Sequence, residues 1–244
     1  MTKVAVVQMT TYDSNIKGIK KAEEIISDLA QKNTDIVCFP EQWLKNNKLD
    51  FEQDLSSLKK LAKDYQMTVI PGAFYEKTSK GYSISSPVID PSGSIIGKQE
   101  KIHPFDYENK LINPGTTTKI FSTQCKFGII ICYDMVFPNV ANSLVKKGAE
   151  ILLSPSRIVK RGINPWHMYV QVRSLENRIP ILASNVMNYR FGGKSIIVDL
   201  VERNKVVIPN ITKLTKEGAL VKNFNLKRYI KSRKKRFSDS RKFS

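Results

Sequence analysis

Lys3-Val4-Ala5-Val6-Val7-Gln8-Met9 is a short, nearly continuous apolar run, the pattern of a strand covered on both faces. Asp13-Ser14-Asn15 offers N-capping side chains just beyond it, and Ile19, Ala22, Ile26 and Leu29 then recur at helical spacing. Asp35-Ile36-Val37-Cys38-Phe39 is a second buried strand, stopped by Pro40. An apolar row at Leu55, Leu58, Leu61 and Tyr65 predicts a helix leading to a third strand, Met67 to Ile70. This βαβαβ order predicts a layered α/β domain with neighbouring parallel strands.

Further along, Tyr82 to Asp90 and Ser94 to Lys98 flank the turn Pro91-Ser92-Gly93 and read as an antiparallel hairpin. Lys126-Phe127-Gly128-Ile129-Ile130-Ile131-Cys132 is the most hydrophobic strand candidate, ending abruptly at Tyr133-Asp134. Pro138 opens a helix that Gly148 closes. Ile151-Leu152-Leu153, a helix from about Trp166 to Asn177, and Ile181-Leu182-Ala183-Ser184 repeat the βαβ pattern; Ser195 to Leu200 and Lys205 to Ile208 read as a closing hairpin. No fixed-period repeat or linker divides the body. The expected organisation is one domain over residues 1–226 followed by a basic tail, 227–244.

The chain has 244 residues, 41% of them hydrophobic, which is enough for a full core and excludes global disorder. No stretch approaches the roughly 18 apolar residues of a membrane-spanning helix. The N-terminal segment lacks a signal-peptide core, so a cytoplasmic location is expected. Forty Lys and Arg against 22 Asp and Glu give a net charge of +18, which raises the question of nucleic acid. From Lys227 onward nine basic residues face one acid, Asp239, so +8 of that charge sits in the last 18 residues. With Tyr229, Phe237 and Phe243 among the cations, the tail is a phosphate- and base-binding segment, a solvated Lys-rich terminus, or a segment that docks on an acidic patch of a partner subunit.

Cys38, Cys125 and Cys132 make an odd count without a close pair, against a disulfide framework. With His103 and His167 the only histidines, no metal site is expected. Functional side chains in open α/β sheets collect at the carboxyl ends of strands. Glu41 follows Phe39-Pro40, Cys132 ends its strand, and Lys101 follows the hairpin. Together they supply a general base, a nucleophile and a cation for a developing oxyanion. Taken singly, each reads more readily as packing or solvated surface, and a Cys132–histidine dyad is the lesser alternative.

The local contexts promote the three. Phe39-Pro40-Glu41, Lys101-Ile102-His103-Pro104-Phe105 and Gly128-Ile129-Ile130-Ile131-Cys132-Tyr133-Asp134 with Phe137-Pro138 resemble, in order and spacing, the carbon–nitrogen hydrolase (nitrilase-like) superfamily. Gly148-Ala149-Glu150-Ile151, Pro155-Ser156, Arg173-Ser174-Leu175-Glu176-Asn177, Asn185 and Gly193-Lys194-Ser195-Ile196-Ile197-Val198-Asp199 extend the resemblance over roughly residues 3 to 200. It implies a four-layer αββα sandwich of two mixed β-sheets flanked by helices. It also implies that Cys132 attacks an amide-type carbon to form a thioester. Glu41 would then carry protons, and Lys101 with the Tyr133 backbone N–H would hold the oxyanion. Glu108 matches a second glutamate that positions substrate and tunes the lysine. No metal or organic cofactor is implied, and a homodimer or larger assembly is.

The family's nitrile hydrolysers usually carry Cys-Trp-Glu at the nucleophile; Cys132-Tyr133-Asp134 resembles the amidase and carbamoylase branches instead. The expected substrate is a small linear amide or N-carbamoyl compound, with amide condensation by acyl transfer left open. Arg157 is placed to pair with a substrate carboxylate, or is a surface arginine beside Lys160 and Arg161. Tyr133, Phe105 and Trp166 are candidate pocket-lining aromatics.

Overall fold

The computed structural model describes residues 1–240. The apolar opening run forms β1 (Thr2–Met9), and its side chains divide by the period of two that a strand imposes. Val4 and Val6 enter one core while Ala5 and Val7 enter another. Helix α1 (Asn15–Ala30) starts at Ser14, whose hydroxyl accepts from the Lys17 N–H. β2 (Ile36–Cys38), the short α2 (Phe51–Asp54), α3 (Ser56–Asp64) and β3 (Thr68–Ile70) complete the opening, and β1–β2 and β2–β3 pair in parallel as expected. β4 (Phe74–Thr78), β5 (Gly81–Ile89) and β6 (Ile95–Glu100) follow as antiparallel strands.

The second half contains β7 (Ile120–Ser122), β8 (Lys126–Ile129), α4 (Pro138–Lys146), β9 (Ile151–Ser156), α5 (Ile163–Asn177) and β10 (Ile181–Val186). β8, β9 and β10 are parallel neighbours. The closing hairpin, β11 (Ile196–Arg203) and β12 (Val206–Lys213), is longer than the sequence pattern suggested. β13 (Gly218–Phe224) returns to pair antiparallel with β1 from Thr2 to Gln8.

Three cores define four layers. Ala5, Val7, Val37 and Val69 pack with Ile26 and Leu29 of α1 and Leu58 of α3. Leu152, Ile181 and Ala183 pack with Leu144 of α4 and Val170 of α5. Between them, Val4, Val6, Ile36 and Cys38 meet Phe127, Ile129, Ile151, Leu153 and Leu182 face to face. The order is therefore helices, sheet, sheet, helices. The two sheet layers are joined at one corner, where β1 pairs in parallel with β10 at Gln8–Asn185 and Met9–Val186, so hydrogen bonding continues from one layer into the other.

The basic segment folds back on the body. Leu226–Tyr229 forms a 3-10 turn and Ile230–Ser240 forms α6. The Asp199 carboxylate, 2% exposed, accepts from the Tyr229 hydroxyl and Arg228 and pairs with Lys222 at 2.8 Å. Arg233 donates to the carbonyls of Ala149, Glu150 and Arg178. Arg228 and Arg233 are thus engaged within their own chain; Arg241, Lys242 and Phe243 lie outside the described residues. Among the described residues, no helix is long and apolar enough to cross a membrane.

Candidate active site

Four strand ends converge on one cavity. Just past β2, Glu41 forms an isolated bridge with Ala73, and its N–H donates to the Ser156 carbonyl at the end of β9. The next residue, Gln42, takes a left-handed backbone, φ +47°. Gly72 makes this approach possible: a Cβ there would stand 2.1 Å from the Pro40 carbonyl oxygen, and its φ is +117°. Lys101 follows β6, with its N–H donating to Ile84. Ile130 and Ile131 carry the chain out of β8 into a 3-10 turn that begins at Cys132, φ +46°. A positive φ at a non-glycine residue is costly and collects where surrounding structure enforces it, often at functional sites.

The polar groups form one buried set. The Lys101 ammonium, 1% exposed, lies 2.9 Å from Glu41 Oε1 and 2.8 Å from Glu108 Oε2. Glu108 Oε2 also accepts the Phe105 N–H at 2.7 Å, which anchors the loop carrying it. The Cys132 thiol sits beside the Glu41 side chain and the backbone of Arg157. Burial pulls the Lys101 pKa down, but the negative charge of Glu41 and Glu108 outweighs it and holds the value above that of an ordinary lysine. Burial, then the Glu41 charge, pushes the Cys132 thiol well up, with Lys101 and the Arg157 backbone opposing. Glu108 is raised by burial and by Glu41. The site thus sets a thiol that burial and Glu41 hold toward its protonated form beside a lysine bridging Glu41 and Glu108.

The cavity has a volume of about 270 Å³, at the small end for ligand sites. Its lining includes all eight residues singled out in the sequence: Glu41, Lys101, Glu108 and Cys132 at the ionic set, and Phe105, Tyr133, Arg157 and Trp166 around them. Phe105 and Tyr133 meet edge to face, 5.0 Å between ring centres. Neither histidine lines it: His103 bonds Asp134 through Nδ1 and stacks on Phe137, and His167 bonds the Lys194 carbonyl.

Gln42, Tyr107, Tyr169, Arg190 and Phe191 also line the cavity and were not singled out. Arg190 and Phe191 arrive from the loop after β10, and no local pattern in Asn188-Tyr189-Arg190-Phe191 announces a site. Asp134, 1% exposed, had a signal in its place beside Cys132. Its carboxylate accepts the backbone N–H groups of Ile102 and His103 at 3.1 and 2.8 Å, fixing the segment after Lys101 to the turn that carries Cys132.

Residues 3–204 match the carbon-nitrogen hydrolase family, and the chain belongs to that family of enzymes. It is 32% identical to a citrullinase of Francisella tularensis over 75% of this chain and 73% of the relative. It is also 32% identical to an N-carbamoylputrescine amidase of Oryza sativa, over 75% and 69%. An amidase from Nesterenkonia sp. AN1, solved as a mutant with covalent addition of the acetamide moiety of fluoroacetamide at its active site cysteine, superposes with a TM-score of 0.79 at 16% identity, covering 98% of this chain and 96% of that one. The αββα sandwich is thus the family's fold, and the chain is a hydrolase of carbon–nitrogen bonds.

Proposed function

We propose that this enzyme hydrolyses a small linear amide or N-carbamoyl compound through a thioester on Cys132. The observation that carries the reading is the buried Glu41–Lys101–Glu108 ion set against the Cys132 thiol inside a cavity of about 270 Å³. The Sγ atom attacks the carbonyl carbon as Glu41 takes its proton, which avoids a free thiolate in a site that disfavours one. Lys101 and the Tyr133 N–H, at the start of a turn whose first N–H groups have no partner within it, hold the oxyanion. Glu41 returns the proton to the nitrogen, the carbon–nitrogen bond breaks, and ammonia or an amine leaves the acyl group on sulfur. Water then attacks the thioester while Glu41 takes its proton, and the thiol reforms as the acid product departs. Glu108 keeps Lys101 charged and in place throughout.

The substrate class is supported by the carbamoyl-compound and amide names of the similar proteins and by Tyr133-Asp134 after the nucleophile. The test is ammonia release across a panel of short amides and ureas with wild type and Cys132→Ala. Release that depends on Cys132, and an acyl adduct on its sulfur seen by mass spectrometry, are expected. Equal release by both proteins rejects the reading.

A further inference from the structure

The two ends of the cavity differ in charge. At the inner end one ammonium faces two carboxylates, Glu41 and Glu108, beside the Cys132 thiol. At the outer end Arg157 and Arg190 both lie over the ring of Phe191, with their guanidinium carbons 4.4 and 5.5 Å from its centre. Arg157 donates to Gln42 Oε1 at 2.5 Å, which orients the fork without neutralising it. Among the described residues neither guanidinium has a carboxylate partner within ion-pair distance.

The unpaired atoms point the same way. Arg157 Nε and Trp166 Nε1 are buried N–H donors without a hydrogen-bond partner, and both side chains line this cavity. Trp166 is 4% exposed. Among the described residues, no lining side chain has a buried acceptor left unpaired. Buried donors without partners are rare in folded proteins and call for an explanation, and a missing acceptor supplies one.

The clamp is rigidly built. The Gly192 N–H donates to Ile158 at 2.9 Å and the Lys160 N–H to Arg190 at 3.1 Å, around an antiparallel bridge between Val159 and Phe191. Asn185, wholly buried, ties both segments to β10: its Oδ1 accepts the Ile158 N–H and its Nδ2 donates to Gly193, each at 2.7 Å. Because the Arg157 backbone lies beside the Cys132 thiol and both residues line the cavity, its guanidinium stands about one arginine side chain from the nucleophile.

We propose that Arg157, Arg190 and the Trp166 N–H form a receptor for an anionic end group of the substrate, so that the enzyme selects short amides or ureas terminated by a carboxylate. This rests on the hydrolase reading above and narrows it. The charge gradient orients the molecule: the carboxylate is repelled by the inner Glu pair and held by the outer arginines, which delivers the neutral amide to Cys132. Planar guanidinium forks suit a carboxylate bidentately. An ammonium-ended substrate of equal length meets two uncompensated cations and is rejected.

Two measurements on the purified full chain test this. Binding is read without turnover, as protection of Cys132 from iodoacetamide by succinate, butyrate or 1,4-diaminobutane. Butyrate is expected to protect best, succinate less well because its second carboxylate faces the inner Glu pair, and the diamine not at all; the butyrate concentration needed is expected to rise at least tenfold in Arg190→Gln, with partial recovery in Arg190→Lys. Arg190 is exposed at the rim, so this variant leaves the core untouched. Turnover is read as ammonia release from succinamic acid, butyramide and 3-aminopropanamide, where the succinamic acid to butyramide ratio of kcat/KM is expected to fall at least tenfold in Arg190→Gln, mainly through KM. Equal protection by the diamine, a preference for the ammonium-ended amide, or indifference of both readouts to Arg190→Gln and Arg157→Gln would overturn the receptor. Butyrate protection without ammonia release from this panel or its N-carbamoyl counterparts would instead overturn the small amide or N-carbamoyl substrate of the proposed function and leave the receptor standing.

Discussion

At Cys132, Glu41 and Lys101 act on one thiol in opposite senses. Burial and the Glu41 charge raise the thiol pKa, while Lys101 lowers it. Glu41→Gln is therefore expected to move the pH midpoint of Cys132 alkylation downward while hydrolysis falls by roughly 10²- to 10⁴-fold, the usual worth of a general base. Lys101→Met should move the midpoint upward and also abolish turnover. The adduct is assigned by peptide mass; Cys38 and Cys125, with thiols pushed up to about 12 chiefly by burial, serve as unreactive controls. A midpoint that rises in Glu41→Gln would contradict this electrostatic account. Gly72→Ala, whose Cβ would collide with the Pro40 carbonyl, is expected to displace Glu41 and cost activity and thermal stability together. Glu41, Lys101 and Cys132 were legible because each sits in a short motif at a strand end. Arg190 and Gln42 were not, since their places depend on which distant segments close around the cavity.

At the scale of elements, strands that bury both faces could be read locally, because their side chains are apolar throughout: β1, β2, β9 and β10 all were. β4, β7 and β13 were not. In β13, Gly218-Ala219-Leu220-Val221-Lys222-Asn223-Phe224 is extended because β1 offers it a seven-residue ladder, a long-range partner no local pattern reveals. α6 is the other element decided at a distance. Its charge pattern reads as solvated, yet Asp199 holds Arg228 and Tyr229 at its entrance. Tyr229→Phe is expected to cost about 1 kcal/mol, or a few degrees of Tm, by removing a donor to a buried carboxylate. Burial raises the Asp199 pKa, but bonds from Arg228, Lys222 and Tyr229 outweigh it and lower the value. A depressed carboxylate stabilises above its unfolded pKa of about 4 and loses that contribution as pH falls through the folded value. The Tm difference between wild type and Asp199→Asn should therefore be present at pH 7 and close below about pH 4; a gap constant with pH would exclude this linkage.

At the scale of the molecule, the surplus positive charge separates from the reaction site. Lys231, Lys234 and Lys235 of α6 are exposed on the body's surface, and they contribute nothing to the cavity lining. Replacing all three by Gln should leave ammonia release unchanged; if the wild type binds polyanions, it should also flatten the salt dependence of that binding. The family resemblance implies a homodimer or larger assembly, and Met168 and Val172 of α5 are exposed apolar side chains, 65% and 42% accessible. Light scattering should give at least twice the chain mass at micromolar concentration, and the single-chain mass would reject an assembly. The sequence by itself determined the α/β class, the order of the main strands and three candidate residues, Glu41, Lys101 and Cys132, that meet at one cavity, because apolar runs, caps and strand-end motifs are local properties of the chain. The folding of two sheet layers into one hydrogen-bonded sheet, the return of the basic segment onto the body and the arginine pair at the cavity rim were decided only by tertiary structure, since each depends on groups far apart in the chain meeting across a shared core.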